Sequence, residues 1–156
     1  MRRVIVAGLT AALIGGGEGA ARAAEPPGPI EGAAALEACM TDEEHGDTCV
    51  GLISDPCFEA PGGWTTQGMV ECFGAETAAW DALLNAYWPR VTEHESHAAE
   101  ALLSAQRAWI AWRDADCLFH RLRHQGGTMG RVASAACVRD HTAQRVLDFR
   151  FWLMDP

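Results

Sequence analysis

Six cysteines, at positions 39, 49, 57, 72, 117 and 137, constrain this chain more than any other feature. Cysteines in such number pair in an oxidising compartment and stay reduced in the cytosol, so the destination of the chain decides what they do. The amino terminus reads as an export signal. Arg2 and Arg3 precede a short apolar run from Val4 to Ile14, and Ala21-Arg22-Ala23 fits the small-x-small rule for cleavage after Ala23. The run is shorter than the roughly 20 residues a bilayer span needs, and Gly15-Gly16-Gly17-Glu18 follows it, so residues 1–23 read as a signal peptide and not as a membrane anchor. No cysteine stands near the cleavage point to take a lipid. A periplasmic or secreted protein with three disulfides is therefore expected. A zinc site is not, because no Cys-x2-Cys pair occurs.

Export also sharpens the charge. The leader removes three of the 12 basic residues (Arg2, Arg3 and Arg22) and one of the 21 acidic ones (Glu18), leaving 9 against 20, a net charge of −11. Such acidity repels nucleic acid and anionic lipid and attracts a cationic partner through a field that weakens with salt. The mature length suits a single core.

Residues 24–30, with Glu25-Pro26-Pro27-Gly28-Pro29, form an extended linker, because proline lacks a donor and holds its predecessor out of the helical region. Residues 31–156 are expected to form one helical domain. An Ala-rich segment from Ile30 to Met40 favours a first helix, and a second is expected from Asp47 to Glu59, before Pro61-Gly62-Gly63 breaks the chain. Thr65 or Thr66 can cap a third, along which Trp80, Leu83, Leu84, Tyr87, Trp88 and Val91 make an apolar stripe. Pro89 should bend or end it. The fourth helix runs from about Ala98 to His124, and its broad apolar face calls for cover from more than one neighbour. Gln125-Gly126-Gly127-Thr128 is a turn, and a last helix spans about Val132 to Met154. No run alternates with period two, so the fold class is all-α: a small, disulfide-stapled, antiparallel helical bundle.

Nearest neighbours are the expected cysteine pairs. Cys39 and Cys49 flank the Glu43-Glu44-His45-Gly46 turn, Cys57 and Cys72 flank Pro61-Gly62-Gly63, and Cys117 and Cys137 face each other near the open end of the hairpin that turns at Gly126-Gly127. The last bond closes a loop of about 20 residues and adds roughly 3 kcal/mol in the chain-entropy view. Spacing alone also permits a tie from the amino-terminal segment to a distant helix.

The segment from Ala105 to Cys117 contains Gln106, Trp109 and then Arg113-Asp114-Ala115-Asp116-Cys117. This Gln, Trp, Arg-Asp-x-x-Cys pattern resembles the signature of the LprI-like lysozyme-inhibitor family of bacterial envelope proteins. Gly126-Gly127-Thr128 stands where the family has Gly-Gly-Ser, and Cys137, Thr142 and Arg145 follow its Cys-x4-Thr-x2-Arg arrangement. Upstream, Cys57, Cys72 and Leu84-Asn85-Ala86-Tyr87 resemble its paired cysteines and Leu-Asn-x-x-Tyr-like helix. The resemblance covers residues 57–150 and leaves 31–56, with Cys39 and Cys49, as an amino-terminal extension. It implies a binding protein that acts stoichiometrically on a lysozyme-type muramidase, without cofactor. A non-inhibitory interaction module of the envelope is the alternative.

Gln106, Arg113, Asp114, Thr142 and Arg145 are polar groups beside apolar helix faces, so a network is expected in which Asp114 accepts from Arg145 or Arg113 while Thr142 and Gln106 join the last two helices. Trp80, Trp109 and Trp112 lie on helix stripes and read as core. Trp64 follows Pro61-Gly62-Gly63 in a loop and is a candidate interface anchor, second to the loop from Gln125 to Arg131 that contains Gly126, Gly127 and Thr128. His120 and His124 stand four apart but with no third ligand at a persuasive spacing, and Glu93, His94, Glu95 and His97 cluster earlier. They read as helix-end histidines, not as a metal site. Neither a Gly-x-Ser-x-Gly elbow, nor a phosphate loop, nor a His-Glu metalloprotease motif occurs, so no catalytic residue is assigned.

Overall fold

The computed structural model describes residues 25–42 and 46–154. The expected leader and residues 43–45 of the first turn lie outside the described residues. Five α-helices and two short 3-10 turns follow one another: α1 (Pro29–Asp42), a turn at Gly46–Cys49, α2 (Ser54–Phe58), α3 (Thr66–His94), a turn at Ser96–Ala98, α4 (Ala99–Leu122) and α5 (Thr128–Met154). No strand occurs among the described residues, and none of their helices is long and apolar enough to cross a membrane. The disulfides join Cys39 to Cys49, Cys57 to Cys72 and Cys117 to Cys137.

Local chemistry explains most of the boundaries. Helix α1 begins at Pro29, one residue before the expected start at Ile30, because a first-turn residue needs no N–H. The Glu31 carboxylate reaches back to the backbone N–H of Gly28 at 3.3 Å. The single helix expected over 47–59 is instead split, since Gly51 between its two pieces has φ = 103°, a conformation that side chains disfavour. Thr65 caps α3, its hydroxyl oxygen accepting from Gly68 N–H at 3.0 Å. The stop or bend expected at Pro89 does not end α3, which continues to His94. Pro89 and Asn85 are both exposed, so water can take the carbonyl that proline leaves without a donor.

The core forms where α3, α5 and α1 meet: Trp80, Leu83, Leu84, Tyr87 and Val91 pack with Ala143, Val146 and Phe149, and with Leu36 and Met40. Helices α3 and α5 run in the same direction, as Gln67 with Arg131, Glu76 with Arg139 and Trp88 with Phe149 ascend together. Helix α4 returns antiparallel between them in sequence but packs on the far side of α5 and barely touches α3. The cover expected from several neighbours thus comes mainly from α5. As a result Leu103, Ile110, Leu118, Phe119 and Leu122 are exposed, and Trp112, expected in the core, is 53% exposed. Trp80 is fully buried, and Trp109 is half-buried.

Glu76 is the one fully buried carboxylate of α3. Its Oε1 accepts from Gly51 N–H (2.7 Å) and Trp80 Nε1 (3.1 Å), and its Oε2 from the N–H groups of Ser54 (2.8 Å) and Ile53 (3.3 Å). Arg139 on α5 brings Nη1 to 3.5 Å. Burial on its own would raise the pKa of this carboxyl, but the hydrogen bonds from Gly51, Ser54 and Trp80 together outweigh it and hold the pKa below the usual value.

The seam between α4 and α5 is narrower than the expected network. Arg145 Nε donates to Gln106 Oε1 at 2.8 Å, and the guanidinium lies 4.9 Å from the Phe149 ring centre and 5.1 Å from that of Trp152. Burial lowers its pKa, and Asp148 offsets part of that. Thr142 stays within α5, its hydroxyl donating to Val138 O at 2.7 Å. Asp114 accepts from Arg113, one of its two expected donors, at 2.8 Å, but it is 61% exposed and does not join α5. Successive helical residues point about 100° apart, so Asp114 looks outward where its neighbour lies along the seam. Asp116 is the acid that crosses, accepting from His141 Nε2 at 2.8 Å. The Cys117–Cys137 bond sits next to it, toward the turn and not the open end of the hairpin.

Two stability predictions follow from these contacts. Glu76→Gln should cost about 1–3 kcal/mol by leaving a buried N–H without an acceptor, read as a lower melting temperature. Because the folded pKa of Glu76 is depressed, its contribution is present above the unfolded value of about 4.3 and lost as pH falls through the folded one. The variant should therefore show less acid destabilisation than the parent. On the seam, Gln106→Leu should cost a similar 1–3 kcal/mol, roughly, by leaving Arg145 Nε unmatched, whereas Asp114→Ala should change stability by less than about 0.5 kcal/mol.

Candidate interaction surface at the hairpin end

Three polypeptide pieces meet at one end of the bundle: the loop before α3, the end of α4 and the start of α5. Arg131 Nη2 donates to Gln67 Oε1 at 3.2 Å, and Gln67 Nε2 in turn donates to Glu71 Oε1 at 2.6 Å. A groove of about 360 Å³ beside this bridge is lined by Val70, Arg121, Arg131, Ser134, Ala135 and Val138. Both candidate binding segments, Trp64 and the Gly126-Gly127 turn, thus belong to the same end.

Each segment is held by backbone geometry. Gly62 has φ = 84°, and a Cβ on Gly63 would run into the carbonyl oxygens of Cys57 and Phe58. This tight turn, fastened by the Cys57–Cys72 bond, sets the Trp64 ring 5.1 Å from that of Phe58 while leaving Trp64 64% exposed. In the other segment the turn is shorter than the expected 125–131 loop. Gln125 (φ = 53°) and Gly126 (φ = 77°) reverse the chain, Gly127 N–H bonds to His124 O at 2.9 Å, and Thr128 already opens α5. Gly130, missed in the sequence, is buried where α5 crosses the end of α4, and a Cβ there would meet the Arg121 carbonyl.

The electrostatics of this end differ from the rest. Between Asp116 and Asp140 there is no carboxylate, whereas Arg121, Arg123, Arg131 and Arg139 all fall there. That segment carries +4 within a chain of net charge −9, which leaves −13 elsewhere. Arg139 is turned inward toward Glu76 and Ser54, but Arg121, Arg123 and Arg131 are exposed, as is His124. Arg123 lies 5.7 Å from the Phe119 ring. Exposed Leu122 and Met129 complete the surface. A gap in the acidic residues was the signal in the sequence that would have located this patch.

Of the residues in the pattern noted above, Gln106, Trp109 and Arg145 lie farther along the α4–α5 seam and join the two helices, Thr142 bonds within α5, and Arg113 and Asp114 flank the seam. A cavity of about 460 Å³ lies at the Pro26-Pro27 linker and is walled mainly by proline and aliphatic groups, including Leu52, Ile53, Pro56 and Pro61. No set of groups able to act as nucleophile and base converges there.

Comparison with known proteins adds to this geometry. A curated relative, an uncharacterised protein of Rhizobium meliloti (strain 1021), is 36% identical over 53 residues, which is 34% of this chain and 38% of that protein. The similarity therefore spans about two fifths of the relative's length. No solved structure matches the chain. Residues 57–149, which contain α3, α4, most of α5 and two of the disulfides, match the family described as lysozyme inhibitor LprI, and the chain belongs to that family.

Proposed function

We propose that this chain is an exported binding protein that acts stoichiometrically on a lysozyme-type muramidase, with the hairpin end as its contact surface. The observation that carries the reading is the segregation of charge: a rigid, exposed basic and apolar tip on an otherwise acidic body, in a member of a lysozyme-inhibitor family. Glycosidases of this type flank the scissile bond with two carboxylates. Arginine forks match carboxylates better than any other side chain, so Arg123 and Arg131 suit the mouth of such a cleft. Trp64, Leu122 and Met129 supply apolar area that the partner would cover. The disulfides on either side of the tip lower the ordering cost of binding. The acidic body adds attraction for the cationic remainder of the enzyme. Export is consistent with three disulfides among the described residues and with the leader-like residues 1–23, and residues 31–56 act as an extension that pins α3.

Residual activity of a cationic lysozyme, titrated with the purified mature protein, tests this. Inhibition near molar equivalence, weaker at high salt, is expected. Charge reversal at Arg123 and Arg131 together should weaken inhibition at least about tenfold in a protein whose far-UV circular dichroism is unchanged, and Trp64→Ala should weaken it by about 1–2 kcal/mol. Full enzyme activity at a large molar excess would remove the inhibitory reading. Capture of resident envelope proteins and no muramidase from a periplasmic extract would then favour the non-inhibitory interaction module.

A further inference from the structure

On the outer flank of the α4–α5 seam, two imidazoles converge on one carboxylate oxygen. Asp116 and His120 are one turn apart on α4, and His141 faces them from α5. Asp116 Oδ2 is 2.8 Å from His141 Nε2 and 3.8 Å from His120 Nε2. A tetrahedral ion with bonds of about 2.0–2.1 Å holds its ligand atoms roughly 3.3 Å apart, a value between these two distances. We propose that Asp116, His120 and His141 form a binding site for a borderline divalent transition ion of the zinc, copper(II) and nickel class.

Four features support the assignment. The donor set of two imidazoles and one carboxylate suits such ions and not magnesium or calcium, which take oxygen ligands. The Cys117–Cys137 bond fixes the separation of the two helices beside the site; its sulfurs, which lie within 4.8 Å of the Asp116 and His141 donor atoms, are held in the disulfide, so His120 has to turn in as the third ligand. The Trp112 ring sits 4.5 Å from that of His141 in an edge-on arrangement, which orients the imidazole. The three side chains are 25–36% exposed, which leaves a path for the ion and room for water as a fourth ligand. The half-exposed His120 ring closes on the ion by side-chain rotation. His124, the partner that the sequence spacing offered to His120, has no place in this set.

The site is independent of the muramidase reading and is tested on the mature protein after chelator treatment. Copper(II) should quench tryptophan emission with one equivalent per chain, and Trp112→Phe should abolish most of that quenching. Zinc should compete with copper and raise the melting temperature, and a chelator should reverse the rise. His141→Gln and His120→Gln should each weaken binding at least tenfold, while His124→Gln and the paired His94→Gln and His97→Gln change leave it intact. Far-UV circular dichroism confirms that each variant is folded; His120, being half-exposed, is the substitution least able to disturb the helices. No binding, affinity unchanged in folded His120→Gln and His141→Gln, or affinity lost in the His94 and His97 variant would each overturn the proposal.

Discussion

The Glu76 carboxylate is the point on which the amino-terminal half of the fold depends. The chain from Gly46 to Phe58 has too little regular structure to satisfy its own N–H groups, and those of Gly51, Ile53 and Ser54 are turned into the protein. Buried donors of this kind must be matched. One carboxylate matches all three and the Trp80 indole as well, so the non-helical stretch between the Gly46–Cys49 turn and α2 is docked on α3 through a single side chain. Arg139 carries the connection onward, lying near Glu76 and donating to Ser54 Oγ at 3.0 Å, so that α3, α5 and the extension share one polar node. The Cys39–Cys49 and Cys57–Cys72 bonds secure the two ends of the docked segment.

From that node the architecture grows outward in order of burial. Helix α5 lies between α3 and α4, and its inner face of Ala143, Val146 and Phe149 has no solvent exposure. Helix α4 rests almost wholly on α5. A single-neighbour helix buries few side chains, here Leu102, Gln106 and Cys117, so it needs other restraint. The disulfide supplies it near the turn and the Gln106–Arg145 pair two turns or more farther on. The same arrangement leaves the far side of α4 open and projects its turn beyond the core. A segment held by covalent and polar restraints, and not by burial, is free to carry its apolar and basic side chains outward.

Features set by local chemistry were legible in the sequence, and those set by register between distant segments were not. The helices, the Thr65 cap, the Gly126-Gly127 reversal and the cysteine pairs across chain breaks all follow from residues within one or two turns of each other. The parallel pairing of α3 and α5 depends on which side of α5 accepts α4, and no local pattern records that. Trp112 shows the consequence: its helical spacing is that of a core residue, yet the neighbour that would cover it is absent. The acid that bridges the seam was misplaced by two residues, because the signature draws attention to Asp114 while Asp116 has the bearing toward α5. Glu76 could have been found, since an acid one turn before Trp80 stands in the apolar stripe of α3, where charge is costly without partners.

Net charge is a poor guide to what a partner meets at the hairpin end. Electrostatic interactions across water fade within a Debye length, about 8 Å at physiological ionic strength. Helix α5, with 27 residues, is about 40 Å long, several times that distance. Of the four arginines between Asp116 and Asp140, Arg139 is paired with Glu76 and Asp140, whereas Arg121, Arg123 and Arg131 are exposed, and the acidic groups at the far end of the bundle lie too distant to cancel these three. Under the proposed muramidase reading, the acidic body would orient an approaching cationic protein, while a cleft lined with carboxylates would select the tip. A chain whose overall charge forbids one of these contacts can still make both, provided that its basic residues are confined to one rigid end. That confinement requires the carboxylate-free stretch to begin where α4 leaves the seam, and Asp116, the last acid before it, is held back there by His141.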